Sequence, residues 1–114
     1  MNSEKTKAQM RKGVLEYCIL SVIAGNEVYA SDIILQLKEA ELIVVEGTLY
    51  PLLTRLKNDE LLSYRWEESK SGPPRKYYSL TEQGKQFLGE LDRDWSELVE
   101  SVNRLRGDNQ EQNQ

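Results

Sequence analysis

The chain has 114 residues, 39% hydrophobic and 30% charged, with a formal net charge of −4 and a sequence pI of about 4.9. That is the profile of one soluble globular domain. It contains no histidine and a single cysteine, which excludes a histidine base, a Ser-His dyad, a histidine-containing metal site, an intramolecular disulfide and a CxxC zinc cluster. No Gly-rich phosphate loop is present, and the carboxylates are scattered over polar faces, so the sequence predicts no enzyme, no cofactor and no metal.

The first helical pattern runs from about Glu4 to Ala24 without a proline, with Val14, Leu15, Cys18, Ile19, Val22 and Ile23 on one wide apolar stripe; its opening, Glu4 to Gly13, reads either as a folded helix turn or as a mobile arm. Cys18 lies within that stripe and reads as a packing residue. The longest apolar run, Val14 to Ala24, is interrupted by Glu16 and Ser21 and does not suit a bilayer. The charged N-terminus lacks a signal-type cleavage region, so the expected location is cytoplasmic. Gly25-Asn26 stops the helix, and a second begins with Ser31 as the expected N-cap and Ile33, Ile34, Leu37 and Ala40 as its buried face. A short apolar run, LIVVEGT, leads into a third helical pattern from Leu49 to Leu62 that buries Leu49, Leu52, Leu53 and Leu56.

The period then changes. LLSYRWEES and RKYYSL are aromatic and roughly alternating, and Ser71-Gly72-Pro73-Pro74 separate them, which predicts a β-hairpin. Thr81 is the expected N-cap of a long final helix, with Glu82 in its first turn. The last residues, GDNQEQNQ, are expected to be a disordered tail. The expected fold is therefore mostly α with a β-hairpin wing: a winged helix-turn-helix over 1–80, a C-terminal dimerisation helix over 81–106 and a tail over 107–114.

Charge is unevenly placed. Residues 1–16 carry Lys5, Lys7, Arg11 and Lys12 against Glu4 and Glu16, a surplus of +2, while the third helix and hairpin, 46–78, carry +1. Residues 17–45 and 79–114 carry −3 and −4, so the acidity lies outside the elements expected to meet double-stranded DNA. The prolines stiffen the hairpin tip, lowering the entropic cost of docking it, and Arg75 and Lys76 just beyond can pair with phosphate oxygens. On the third helix, with the leucines inward, Pro51 and Thr54 face outward and can contact thymine methyls. Thr48 and Tyr50 on the flanks can donate to phosphates, and Arg55, also flanking, joins the DNA-facing set. Tyr50 reads equally as a half-buried packing residue.

On the last helix Leu88, Leu91, Trp95, Leu98, Val102 and Leu105 are spaced 3, 4, 3, 4 and 3, an a/d seam that predicts a homodimer. Trp95 in its middle reads as an interface anchor or as a stacking wall for a flat ligand.

Taken together, RKGVLEYCILSVI, EGTLYPLLTRL and GPPRKYYSLTEQG, in this order and spacing over residues 11–84, resemble the PadR family of bacterial transcriptional regulators, in its short, single-C-terminal-helix form. The resemblance implies a dimeric repressor of a palindromic operator, with Tyr17, Thr48, Tyr50, Pro51, Arg75 and Lys76 at DNA. It also implies a planar aromatic effector stacked on Trp95. Glu60 departs from the family's pattern, which has glycine at the end of the third helix; the expectation is that this helix ends differently. Glu46 also departs from it, placing an acid ahead of Gly47-Thr48. The competing reading is a winged helix that contacts protein and has lost DNA binding.

Overall fold

The helical pattern expected from Glu4 to Ala24 is two helices, α1 (Ser3–Lys12) and α2 (Leu15–Gly25). A computed structural model describes residues 3–107. At the break, Gly13 N–H donates to the Met10 carbonyl at 3.3 Å and Val14 N–H to that of Arg11 at 3.0 Å, tight bonds that close α1. The ladder restarts where Cys18 N–H reaches Val14 O at 3.0 Å. The apolar stripe begins only at Val14, and α1 has no buried residue, so no shared packing holds the two on one axis. Gly13 between them costs about 1 kcal/mol relative to alanine in a helix interior.

A two-residue strand, β1 (Val28–Tyr29), follows; the sequence gives no sign of it because it is too short to alternate. It pairs antiparallel with a later strand, and the chain turns directly from it into α3 (Ala30–Glu39). The expected cap at Ser31 is therefore corrected. Tyr29 flanks the helix in extended conformation, its N–H donates to Asp32 Oδ2 at 3.0 Å, and Ser31 lies in the first turn.

The third pattern, expected over Leu49–Leu62, is α4 (Glu46–Asn58). It starts three residues earlier, and Leu62 already belongs to β2 (Leu62–Glu67). Leu49, Leu53 and Leu56 are buried as expected, and Leu52 is half-buried. Both α3 and α4 end on a left-handed glutamate, Glu41 at φ 65° and Glu60 at φ 66°. In each, the next residue's N–H reaches back five positions, Leu42 to Leu37 O at 2.7 Å and Leu61 to Leu56 O at 3.0 Å. This is the Schellman closure that glycine usually serves. The expectation that Glu60 forces a different helix end is thus overturned: the closure forms with glutamate in place, because the two returning hydrogen bonds offset the strain of an L-residue there.

β2 and β3 (Arg75–Leu80) form the hairpin, in register from Leu62↔Leu80 to Glu67↔Arg75, and the sheet order is β1-β3-β2. One face carries Leu62 and Tyr78 into a core shared with Ile19, Leu20 and Ile23 of α2, Ile33 and Leu37 of α3, and the α4 leucines. Each such side chain contributes about 1.5–3 kcal/mol of transfer free energy.

α5 (Glu82–Leu105) starts as expected at Thr81, whose hydroxyl accepts from Gly84 N–H at 2.9 Å and donates to Glu60 O at 2.7 Å. A Cβ at Gly84 would run into the Leu61 carbonyl, so glycine is what lets α5 lie this close to the α4 end. Leu88 and Leu91, expected in the dimer seam, pack against the chain's own core. Beyond them Trp95, Leu98, Val102 and Leu105 stay exposed, Leu105 by 88%. Of the tail expected over 107–114, only Gly107 is among the described residues; it takes a left-handed turn at φ 87°.

Candidate nucleic-acid interface

Helix α4 presents Thr48, Tyr50, Pro51, Thr54 and Arg55 to solvent, all five exposed. Apart from Arg55 their side chains are short or flat, so a groove wall can approach the helix closely. Arg55 is not a free cation: its guanidinium is paired with the Glu16 carboxylate of α2. That exposed pair costs little to open, typically under about 1 kcal/mol, so Arg55 can be exchanged onto a phosphate.

The hairpin separates its two cations. Side chains alternate across a strand, so Lys76 shares the face of Tyr64, Trp66 and Tyr78, and Arg75 shares the opposite face with Tyr77 and Tyr29. Lys76 Nζ lies 4.6 Å from the Tyr64 ring centre and 5.6 Å from that of Trp66, its cross-strand partner. The Arg75 guanidinium lies 4.3 Å from the Tyr29 ring centre. Adjacent in sequence, they are two single cations in the fold, each held against its own aromatic platform.

Those platforms orient the charges without neutralising them. Glu67 faces Arg75 across the ladder, yet its carboxylate is taken by Arg65, which also reaches Glu27 at 3.3 Å. Glu27 and then Glu67 raise the Arg65 pKa above its ordinary value. Among the described residues, Arg75 and Lys76 therefore have no carboxylate partner.

Both cations open onto one groove of about 390 Å³ whose other walls include Tyr50 of α4, Trp66 of β2 and Ser31 at the start of α3. The groove joins α4 to the wing. Burial, with Tyr50 and Tyr64 nearby, pushes the Tyr78 phenol at its floor above its usual pKa. Tyr29, Ser31 and Trp66 were not anticipated here. The available signal was the alternation of Tyr64 and Trp66 opposite Lys76, but the register that joins them lies in the fold.

Tyr17 stands elsewhere. Expected at DNA, it faces α5: its hydroxyl donates to Asp92 Oδ1 at 2.6 Å, and its ring centre lies 6.2 Å from that of Trp95, tilted by 47°. The hydrogen bond to the Asp92 carboxylate, ahead of burial, pushes the phenol up to about 12. The structure thus brings Tyr17 together with Trp95 on the exposed side of α5, and Tyr50 together with the wing cations at the groove between α4 and the hairpin, a groove that Thr48 does not line.

Helices α3 and α4, the two-stranded wing and the long α5 define a winged helix-turn-helix with a C-terminal helix. Residues 19–90 match the transcriptional regulator PadR-like family model. A PadR-like transcription factor structure from Bacteroides fragilis is 66% identical, with a TM-score of 0.76 over 89% of this chain and 98% of that one. A PadR-like regulator from Bacillus cereus is 40% identical, with a TM-score of 0.76 over 85% and 95%. The Bacillus subtilis PadR structure in complex with operator DNA is 28% identical, with a TM-score of 0.64 over 68% of this chain and 46% of that one. The chain belongs to the PadR-like family of transcriptional regulators and is not an enzyme.

Proposed function

We propose that this chain is a cytoplasmic, dimeric, sequence-specific DNA-binding repressor of a palindromic operator. Residues 1–80 form the reading unit and 81–106 the dimerising helix. The observation that carries the reading is the groove in which Tyr50, on the exposed face of α4, meets the two wing cations, which among the described residues have no carboxylate partner. Thr54 and Pro51 offer apolar contact to bases, while Thr48, Tyr50, Arg75 and Lys76 hold phosphates. The operator complex of the Bacillus subtilis relative supports the same use of the fold. A winged helix turned to protein contact would have no need of cations kept free of their neighbouring acids.

Dimerisation is supported by the apolar half of α5 from Trp95 to Leu105, which the chain's own core leaves uncovered. Such a stripe on a soluble regulator calls for a partner surface. Trp95 and Tyr17 beside it supply two aromatic faces at that junction, which supports a planar aromatic effector whose binding releases the operator.

The test is binding of the purified protein to the DNA upstream of its own gene, titrated with salt against competitor DNA. Tight, competitor-resistant binding that falls steeply with salt is the expected result. Affinity no better than for competitor, together with no enriched sequence in a random-DNA selection, would overturn the proposal.

A further inference from the structure

A second groove of about 320 Å³ lies between α1, α2 and the segment joining α3 to α4. Its walls are apolar: Val14, Leu15 and Cys18 on one side, Leu42, Val44 and Val45 on the other. Arg11 and Lys12 of α1 also line it, and none of the described residues that line the groove is acidic. Among the described residues neither cation has a carboxylate partner. Ile43 and Val45, on the connecting segment, are 73% and 64% exposed, an unusual amount of β-branched surface to leave in water.

Thr48, in the first turn of α4, also lines the groove. That helix begins at Val45 without a side-chain cap, and Glu46 in its first turn sets an acid against the partial positive charge of its leading N–H groups, so the anion-holding charge here is that of Arg11 and Lys12. The groove has the volume and the apolar lining of a small-molecule site, and the charged residues among its described lining are the two cations Arg11 and Lys12, both on α1. It is separate from the aromatic junction of Tyr17 and Trp95, neither of which lines it.

We infer that this groove is a binding site for a small amphipathic carboxylate, whose hydrocarbon part lies against Val14, Leu15, Cys18 and Val44 and whose carboxylate meets Arg11 and Lys12. Charge complementarity selects the anion: an alcohol of the same length gains the apolar burial alone, and a cationic amphiphile is repelled. An occupant would tie α1 to the start of α4. The consequence for DNA affinity rests on the function proposed above; the binding itself does not.

The test uses the intact protein without DNA. Decanoate, decanol and decyltrimethylammonium, each below its micelle-forming concentration, are titrated by calorimetry, and NMR shifts locate the site. Decanoate is expected to bind once per chain, to shift the resonances of Val14, Leu15 and Val44, and to bind at least about tenfold more tightly than decanol. Arg11→Gln with Lys12→Gln, both surface changes, is expected to abolish that preference. As a second variant Val45→Glu, which sets a carboxylate in the groove wall, is expected to weaken decanoate by a larger factor than decanol. Equal binding of the cationic amphiphile, or no saturable binding, would overturn the inference. So would decanoate shifts centred on the Trp95 indole, or groove resonances that move on dilution without ligand, because the occupant would then be a second copy of the chain.

Discussion

At Glu60 a glutamate occupies backbone space that favours glycine, at φ 66°. A left-handed L-residue is strained by about 1–2 kcal/mol, while glycine loses more freedom on folding, so Glu60→Gly is expected to stabilise the protein by up to about 1 kcal/mol. Denaturant unfolding checks this; a loss of stability would mean that the Glu60 side chain has a role beyond closing the helix. Tyr17 gives a pH-dependent prediction. Its phenol is held by Asp92 at about 12, above the ordinary value of 10.0, so the folded state keeps a proton that the unfolded chain gives up. The stabilisation is full below about pH 10 and is lost as pH rises through about 12. Tyr17→Phe is expected to cost up to about 1 kcal/mol at neutral pH and to flatten the stability loss between those limits, as read from denaturation midpoints. Neither feature was legible in the sequence. Glutamate carries no sign of a left-handed conformation, and the Tyr17–Asp92 contact spans 75 positions.

Among the elements, the hairpin and α5 were the most legible. The aromatic alternation and the Gly-Pro-Pro turn mark the strands, and Thr81 marks the helix start because its hydroxyl is needed there. The break at Gly13 is not settled by the sequence because the residues on both sides are good helix formers, and only the lack of a packing surface under α1 separates the two helices. The adjacency of Arg75 and Lys76 misled in a different way. In a strand, neighbours in sequence face apart, so their joint action depends on the groove that both border. Arg75→Ala with Lys76→Ala is expected to weaken binding to all DNA sequences alike and to reduce the slope of log affinity against log salt by about two for each protomer engaged. An unchanged slope would remove the wing from the interface.

For the whole molecule, the seam on α5 was legible as a repeat, but its partition was not. Leu88 and Leu91 serve the chain's own core, and the uncovered stripe starts at Trp95. Leu98 lies within that stripe and is 54% exposed, so Leu98→Asp leaves the monomer's core intact while placing a charge in the proposed interface. The variant is expected to fold, to sediment as a monomer and to lose at least about tenfold in DNA affinity, since one reading helix then binds without its twin. The net charge of −4 is compatible with DNA binding because along the sequence the surplus of acids falls on 17–45 and 79–114, while 46–78, which holds α4 and the wing, carries +1.

The measurement that bears most directly on a dimeric operator binder is the mass of its complex with a duplex recovered by random-sequence selection. Two chains on one duplex, over two inverted half-sites about 10 base pairs apart, is the expected result. One chain per duplex, or no defined complex at all, would contradict it.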